Sequence, residues 1–196
     1  MFSLSEALLI MLISCPFYLC GRGIYFRKKK LHFTFLREFL MLLLYLCIIF
    51  ILTMTIIPKI EIAPDNSFSI LRTYSHSNRI NVVPFSFINE VKDYCQNGLY
   101  YSVLFNLAGN IIPFAAVSAA CALLWDYFKN IKHILIFGII SSLLIEIIQI
   151  PLYRGTDIDD IILNLFGYIF GFLVFLLLNN FLPKFTAMFN KKGRTK

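Results

Sequence analysis

The chain has 196 residues, 59% hydrophobic and 15% charged, with a formal net charge of +7 and a mean hydropathy of +0.75. A soluble domain is nearer half apolar and a quarter charged, so the apolar surface here excludes an ordinary globular fold of this length. The bases gather between apolar runs, which is the positive-inside pattern of a polytopic membrane protein and excludes a nucleic-acid groove.

Five apolar runs approach the roughly 20 residues that cross a bilayer. In chain order they are Leu4 to Cys20, Phe39 to Ile57, Tyr100 to Trp125, Ile131 to Ile150 and Ile161 to Leu182. The first run starts without Lys or Arg, lacks an A-x-A-like cleavage site and is followed by GRGIYFRKKKLHFTFLRE. It therefore reads as a retained anchor, not a cleaved signal. The segment between the first two runs carries Arg22, Arg27, Lys28, Lys29, Lys30 and Arg37, and the tail carries Lys184, Lys191, Lys192, Arg194 and Lys196. The segment Pro58 to Leu99 balances its charges, and Pro151 to Asp160 has one Arg against three Asp. The expected fold is an all-α polytopic helical bundle of about five transmembrane helices, N-out and C-in. Three parts are expected: an anchor helix with its basic loop (1–38), a transmembrane domain with a long outer loop at 58–99 (39–183), and a basic tail (184–196). Of the five cysteines, Cys15, Cys20, Cys47 and Cys121 fall in or beside apolar runs, which supports neither a disulfide framework nor a zinc site.

Polar residues break the last three runs in an ordered way. Positions three or four apart share a helix face. Asn106 and Asn110 are spaced i, i+4, with Pro113 one turn further on, where a kink is expected. Gly138, Ser142, Glu146 and Gln149 make a second stripe, and Asp157, Asp160, Asn164, Gly167 and Gly171 a third. With 1.5 Å of rise per residue, Asn106, Asn110, Glu146, Gln149 and Asn164 fall within about 15 Å of one membrane boundary. Three helices thus present polar groups at one depth, and a shared outward pocket is expected. Plain alternatives stand beside this one. The asparagines also read as interhelical hydrogen-bond partners, and Gly167 with Gly171 as a close-packing pair. Thr156 with Asp159 resembles a capping box, and Asp159 points away from the stripe. Glu146 is the strongest site candidate, since an ionisable group within a span is costly. Arg154 is its expected partner.

The segments NRINVVPF (Asn78 to Phe85), FNLAGNIIPF (Phe105 to Phe114), SSLLIEIIQI (Ser141 to Ile150) and RGTDIDDIILNLFGYIFG (Arg154 to Gly171) resemble the VanZ-like family. That family is named for a membrane protein associated with resistance to the glycopeptide teicoplanin. The matching positions are Asn81, Pro84 and Phe85; Asn106, Gly109 and Asn110; Ser142, Glu146 and Gln149; and Arg154, Asp157, Asp160, Asn164 and Gly167. One departure is visible, since Ala116 stands where the family usually has a proline. The resemblance implies a multi-pass protein of the bacterial plasma membrane that alters susceptibility to teicoplanin-type drugs.

Three functions follow as expectations. The leading one is a pocket, formed by Asn106, Asn110, Glu146, Gln149, Arg154, Asp157, Asp160 and Asn164, that binds a cell-wall precursor, a phospholipid head group or the glycopeptide antibiotic. Its acids would attract an ammonium. The second is an enzyme acting on a lipid-linked wall precursor, with Glu146 and Asp160 as catalytic candidates. The third is a small transporter or flippase. No cofactor or resident metal is expected, and the lipid bilayer is an expected partner.

Overall fold

In the computed structural model, residues 4–29, 33–57, 60–62, 68–70, 80–152 and 156–190 are described. Five long helices coincide with the five apolar runs: α1 (Leu4–Lys29), α2 (Phe35–Thr55), α4 (Tyr100–Leu124), α5 (Ile131–Gln149) and α6 (Ile158–Phe181). Each is long and apolar enough to cross a membrane. Lipid offers no hydrogen-bond partner to a bare backbone, so these segments close their own ladders as helices. The protein is a multi-pass helical bundle.

Two shorter helices were not anticipated. One, α3 (Phe87–Gln96), lies within the segment 58–99 that was expected to be a loop, and the other, α7 (Pro183–Asn190), follows α6. Strands are minimal: β1 (Ile60–Ile62) pairs antiparallel with β2 (Phe68–Ile70), and β3 (Ile80–Asn81) pairs parallel with β4 (Thr156–Asp157). The first helix continues past Cys20 to Lys29, through the basic stretch. The fourth stays helical through Pro113.

The core forms where α4 meets α6. Their contacts rise together in number, Ile111 with Gly167 and Ala115 with Gly171, so the two helices run parallel. A Cβ built on Gly167 would lie 2.5 Å from the Ile111 carbonyl oxygen, and one on Gly171 would overlap the Ala115 carbonyl. These glycines let backbone meet backbone, the small-residue solution for helices in lipid. The Ser118 hydroxyl donates to the Tyr168 carbonyl at 2.7 Å in the same seam. The Tyr168 ring then packs against Phe114, Phe137 and Gly138, which brings α5 onto the pair. On the other side α2 lays Leu44 and Ile51 into the core.

The end of the bundle that gathers the bases is tied separately. Arg22 holds Glu38 in a forked ion pair at 2.7–2.9 Å. Arg37 donates to the Leu124 and Phe189 carbonyls at 3.1 and 2.7 Å, which joins α2 to the ends of α4 and α7.

Replacing Gly171 with Val should force α4 and α6 apart and destabilise the bundle by about 1–3 kcal/mol. Gly109, where an added Cβ meets nothing within 4 Å, should accept Ala without loss. Thermal unfolding in detergent checks both; equal midpoints for the two variants would contradict the seam.

Candidate functional site

Parallel α4 and α6 start at the same end of the bundle, and antiparallel α5 finishes there. That geometry assembles the polar stripes. Ser142, Glu146 and Gln149 are all buried on α5, and Asn164 is buried on α6. Asn110 of α4 donates through Nδ2 to Asp160 Oδ1 of α6 at 2.9 Å. Gln149 donates through Nε2 to the Thr55 carbonyl at 3.0 Å, which ties α5 to the end of α2.

Glu146, only 3% exposed, accepts from the Asp157 backbone N–H at 3.1 Å through Oε2. Asp157 is the N-cap of α6, with extended backbone and a side chain that accepts from the Asp159 N–H at 2.9 Å. The carboxylates of Asp157 and Asp160 lie within electrostatic reach of Glu146. Among the described residues, no Lys or Arg pairs with Glu146, Asp157, Asp159 or Asp160. The positive end of α6 supplies part of the missing countercharge, but a helix terminus carries only about half a unit. The corner therefore gathers carboxyl groups without a matching base among the described residues.

The capping-box reading of Thr156 and Asp159 does not describe the structure. Asp159 caps a different helix. Its Oδ1 accepts from the Phe85 N–H at 2.6 Å, and its Oδ2 accepts from the Ser86 hydroxyl at 2.7 Å and the Phe87 N–H at 2.8 Å. Phe87 opens α3, so this acid satisfies a donor that helix geometry leaves free. Ser86, which precedes α3, makes no side-chain cap of its own. Phe85 has φ of +66°, a left-handed conformation that is rare for a bulky residue and costs about 1–3 kcal/mol. The Asp159 carboxylate holds it there.

Asn81 completes the latch. Its Nδ2 lies 2.7 Å from Ser86 Oγ and 3.1 and 3.3 Å from the two Asp157 oxygens, while its Oδ1 accepts from the Val83 N–H at 3.1 Å. With the β3–β4 pairing, these bonds fasten residues 80–87 across the start of α6. Val82, Val83 and Phe85 point their side chains outward.

Four buried polar atoms at this end have no hydrogen-bond partner among the described residues: Ser142 Oγ, Gln149 Oε1, Thr156 Oγ1 and Asn164 Oδ1. Two of them, the amide oxygens, can only accept. A buried acceptor without a donor costs about 1–3 kcal/mol.

Of the residues expected from the sequence, Asn110, Glu146, Gln149, Asp157, Asp160 and Asn164 come to this end of the bundle. Asn106 lies one turn before Asn110 on α4 but is exposed and makes no side-chain hydrogen bond with the described residues. Arg154 lies outside the described residues. Ser86 and Thr55 were missed, and Asp159 was read only as a cap for its own helix. Thr55 contributes only a backbone carbonyl, which no residue pattern announces. Ser86 could have been singled out as a residue type favoured just before a helix.

Five helices of this length define a multi-pass helical membrane protein, with polar groups buried together at one end of the bundle. The family model VanZ/LLP1 matches residues 28–179, and the chain belongs to that family. No curated protein and no solved structure matches the chain.

Removing the Asp159 carboxylate leaves the Phe85 and Phe87 N–H groups without their acceptor, and hydrogen bonds to a charged group are worth roughly 1.5–3 kcal/mol each. Asp159→Ala should therefore accelerate hydrogen exchange across residues 80–90, with the seam residues of α4 and α6 unaffected. Unchanged protection at Phe85 and Phe87 would refute the latch.

Proposed function

We propose that the acidic corner is an outward-facing binding pocket for an ammonium-bearing component of the bacterial envelope, or for a teicoplanin-type drug, and that the protein contributes to glycopeptide resistance from the plasma membrane. The observation that carries this reading is the pairing of carboxylates that lack a cation among the described residues with buried acceptors that lack donors. An ammonium answers both needs, since it brings positive charge and three N–H donors. Glu146 and Asp160 supply the charge, and Gln149 and Asn164 the acceptors. Asn81, Asp157 and Asp159 hold the outer segment over the start of α6.

Charge supports the N-out, C-in orientation. Arg22, Arg37 and Lys129 lie toward the bundle end away from Glu146, and an excess of bases marks the cytoplasmic side. The corner then faces the cell wall. Family membership supports the envelope setting.

The test is drug susceptibility of a strain lacking the gene, complemented with wild-type, Glu146→Gln or Asp160→Asn protein. Each change keeps side-chain shape and removes a charge, and each should weaken ammonium binding by roughly ten-fold or more. Resistance is expected to fall with both variants while their amounts in the membrane match wild type. Full resistance from both would overturn the proposal.

A further inference from the structure

We infer that the ammonium belongs to a lipid, with its head at the acidic corner and one acyl chain in a groove between α1, α2 and α4. This rests on the ammonium reading above and names the kind of molecule that carries the charge.

The groove encloses about 270 Å³. That is just below the roughly 300–1,000 Å³ of sites that bury a whole drug-sized molecule, and far too small for a glycopeptide. A length of single hydrocarbon chain suits it. Its walls are apolar, with Phe50, Ile51 and Met54 on one side and Ile112, Pro113 and Phe114 on the other. All three helices are candidate spans, so the groove opens where acyl chains are the solvent.

Its polar end is the edge of the acidic corner. Thr55, Asn106 and Asn110 line it. Asn110 is bonded to Asp160, and Gln149 is bonded to the Thr55 carbonyl. The Gln149 amide oxygen, on a residue 7% exposed, has no donor among the described residues. Pro113 adds another acceptor, because it has no N–H to offer the Gly109 carbonyl, and Gly109 lines the same groove.

Head chemistry follows from these groups. Carboxylates disfavour an anionic head such as phosphoglycerol. Acceptors without donors disfavour a quaternary ammonium, which carries charge but no N–H. A primary ammonium, as on phosphoethanolamine, meets both requirements.

The experiment is native mass spectrometry of the full-length protein with phosphatidylethanolamine, phosphatidylcholine and phosphatidylglycerol of identical chains, and with water-soluble glycerophosphoethanolamine. Wild type should retain phosphatidylethanolamine over the other two lipids by roughly ten-fold. Gly109→Leu, built into open space, should fill the groove and abolish lipid retention while glycerophosphoethanolamine still binds. Asp160→Asn should make the three lipids equivalent. Equal retention of the three by wild type, or ethanolamine selectivity that survives Gly109→Leu, overturns the inference. If glycerophosphoethanolamine binds and phosphatidylethanolamine binds no tighter, the groove assignment fails and the ammonium pocket stands. If neither binds, both fall.

Discussion

The backbone contact between α4 and α6 governs the rest of this molecule. Gly167 and Gly171 admit the Ile111 and Ala115 backbone to a distance that any side chain would forbid. In lipid no hydrophobic force drives helices together, so close packing and interhelical hydrogen bonds must do so. The parallel approach sets one register along both helices. It brings Ser118 to the Tyr168 carbonyl deep in the bundle and Asn110 to Asp160 near its end. A shift of one residue in that register would turn these polar groups away from each other.

Polar groups buried at such an end need an account of their charge. Here backbone does much of the stabilising. Glu146 faces the N-terminus of α6, and Asp159 faces that of α3, so each acid meets N–H groups and the positive end of a helix dipole. The same bonds join elements far apart in the chain, since Asp159 reaches back more than seventy residues to the Phe85–Phe87 turn. Structure and chemistry are therefore not separable at this corner. Asp157 caps a helix, anchors Asn81 and presents its N–H to Glu146. Those bonds leave the Gln149 and Asn164 amide oxygens without a donor among the described residues.

The two ends of the bundle contrast in how they spend charge. Arg22 and Arg37 are consumed in an ion pair and two carbonyl contacts that brace α1, α2, α4 and α7. The opposite end concentrates acids without matching bases among the described residues. One end of the bundle is thus braced by bases, and the other gathers acids. The VanZ/LLP1 family match covers residues 28–179, which includes α2, α4, α5 and most of α6.

Spans, polar stripes and the glycine pair were legible in the residues alone, because bilayer thickness and the 3.6-residue turn are local constraints that any window of the chain must obey. Glu146, Asn110 and Asp160 could be singled out for the same reason: each interrupts an apolar period. Asp159 was read as a cap for its own helix and instead caps α3, since periodicity gives a direction but not what lies there. Helix α3 and helix α7 escaped notice because neither is long enough to impress a span-length pattern. The pairing of Asn81 with Asp157, the trans cap from Asp159 and the Gln149 bond to a bare carbonyl belong to tertiary structure alone. They join residues separated by dozens of positions, and only the packing of α4 against α6 decides which of those meet.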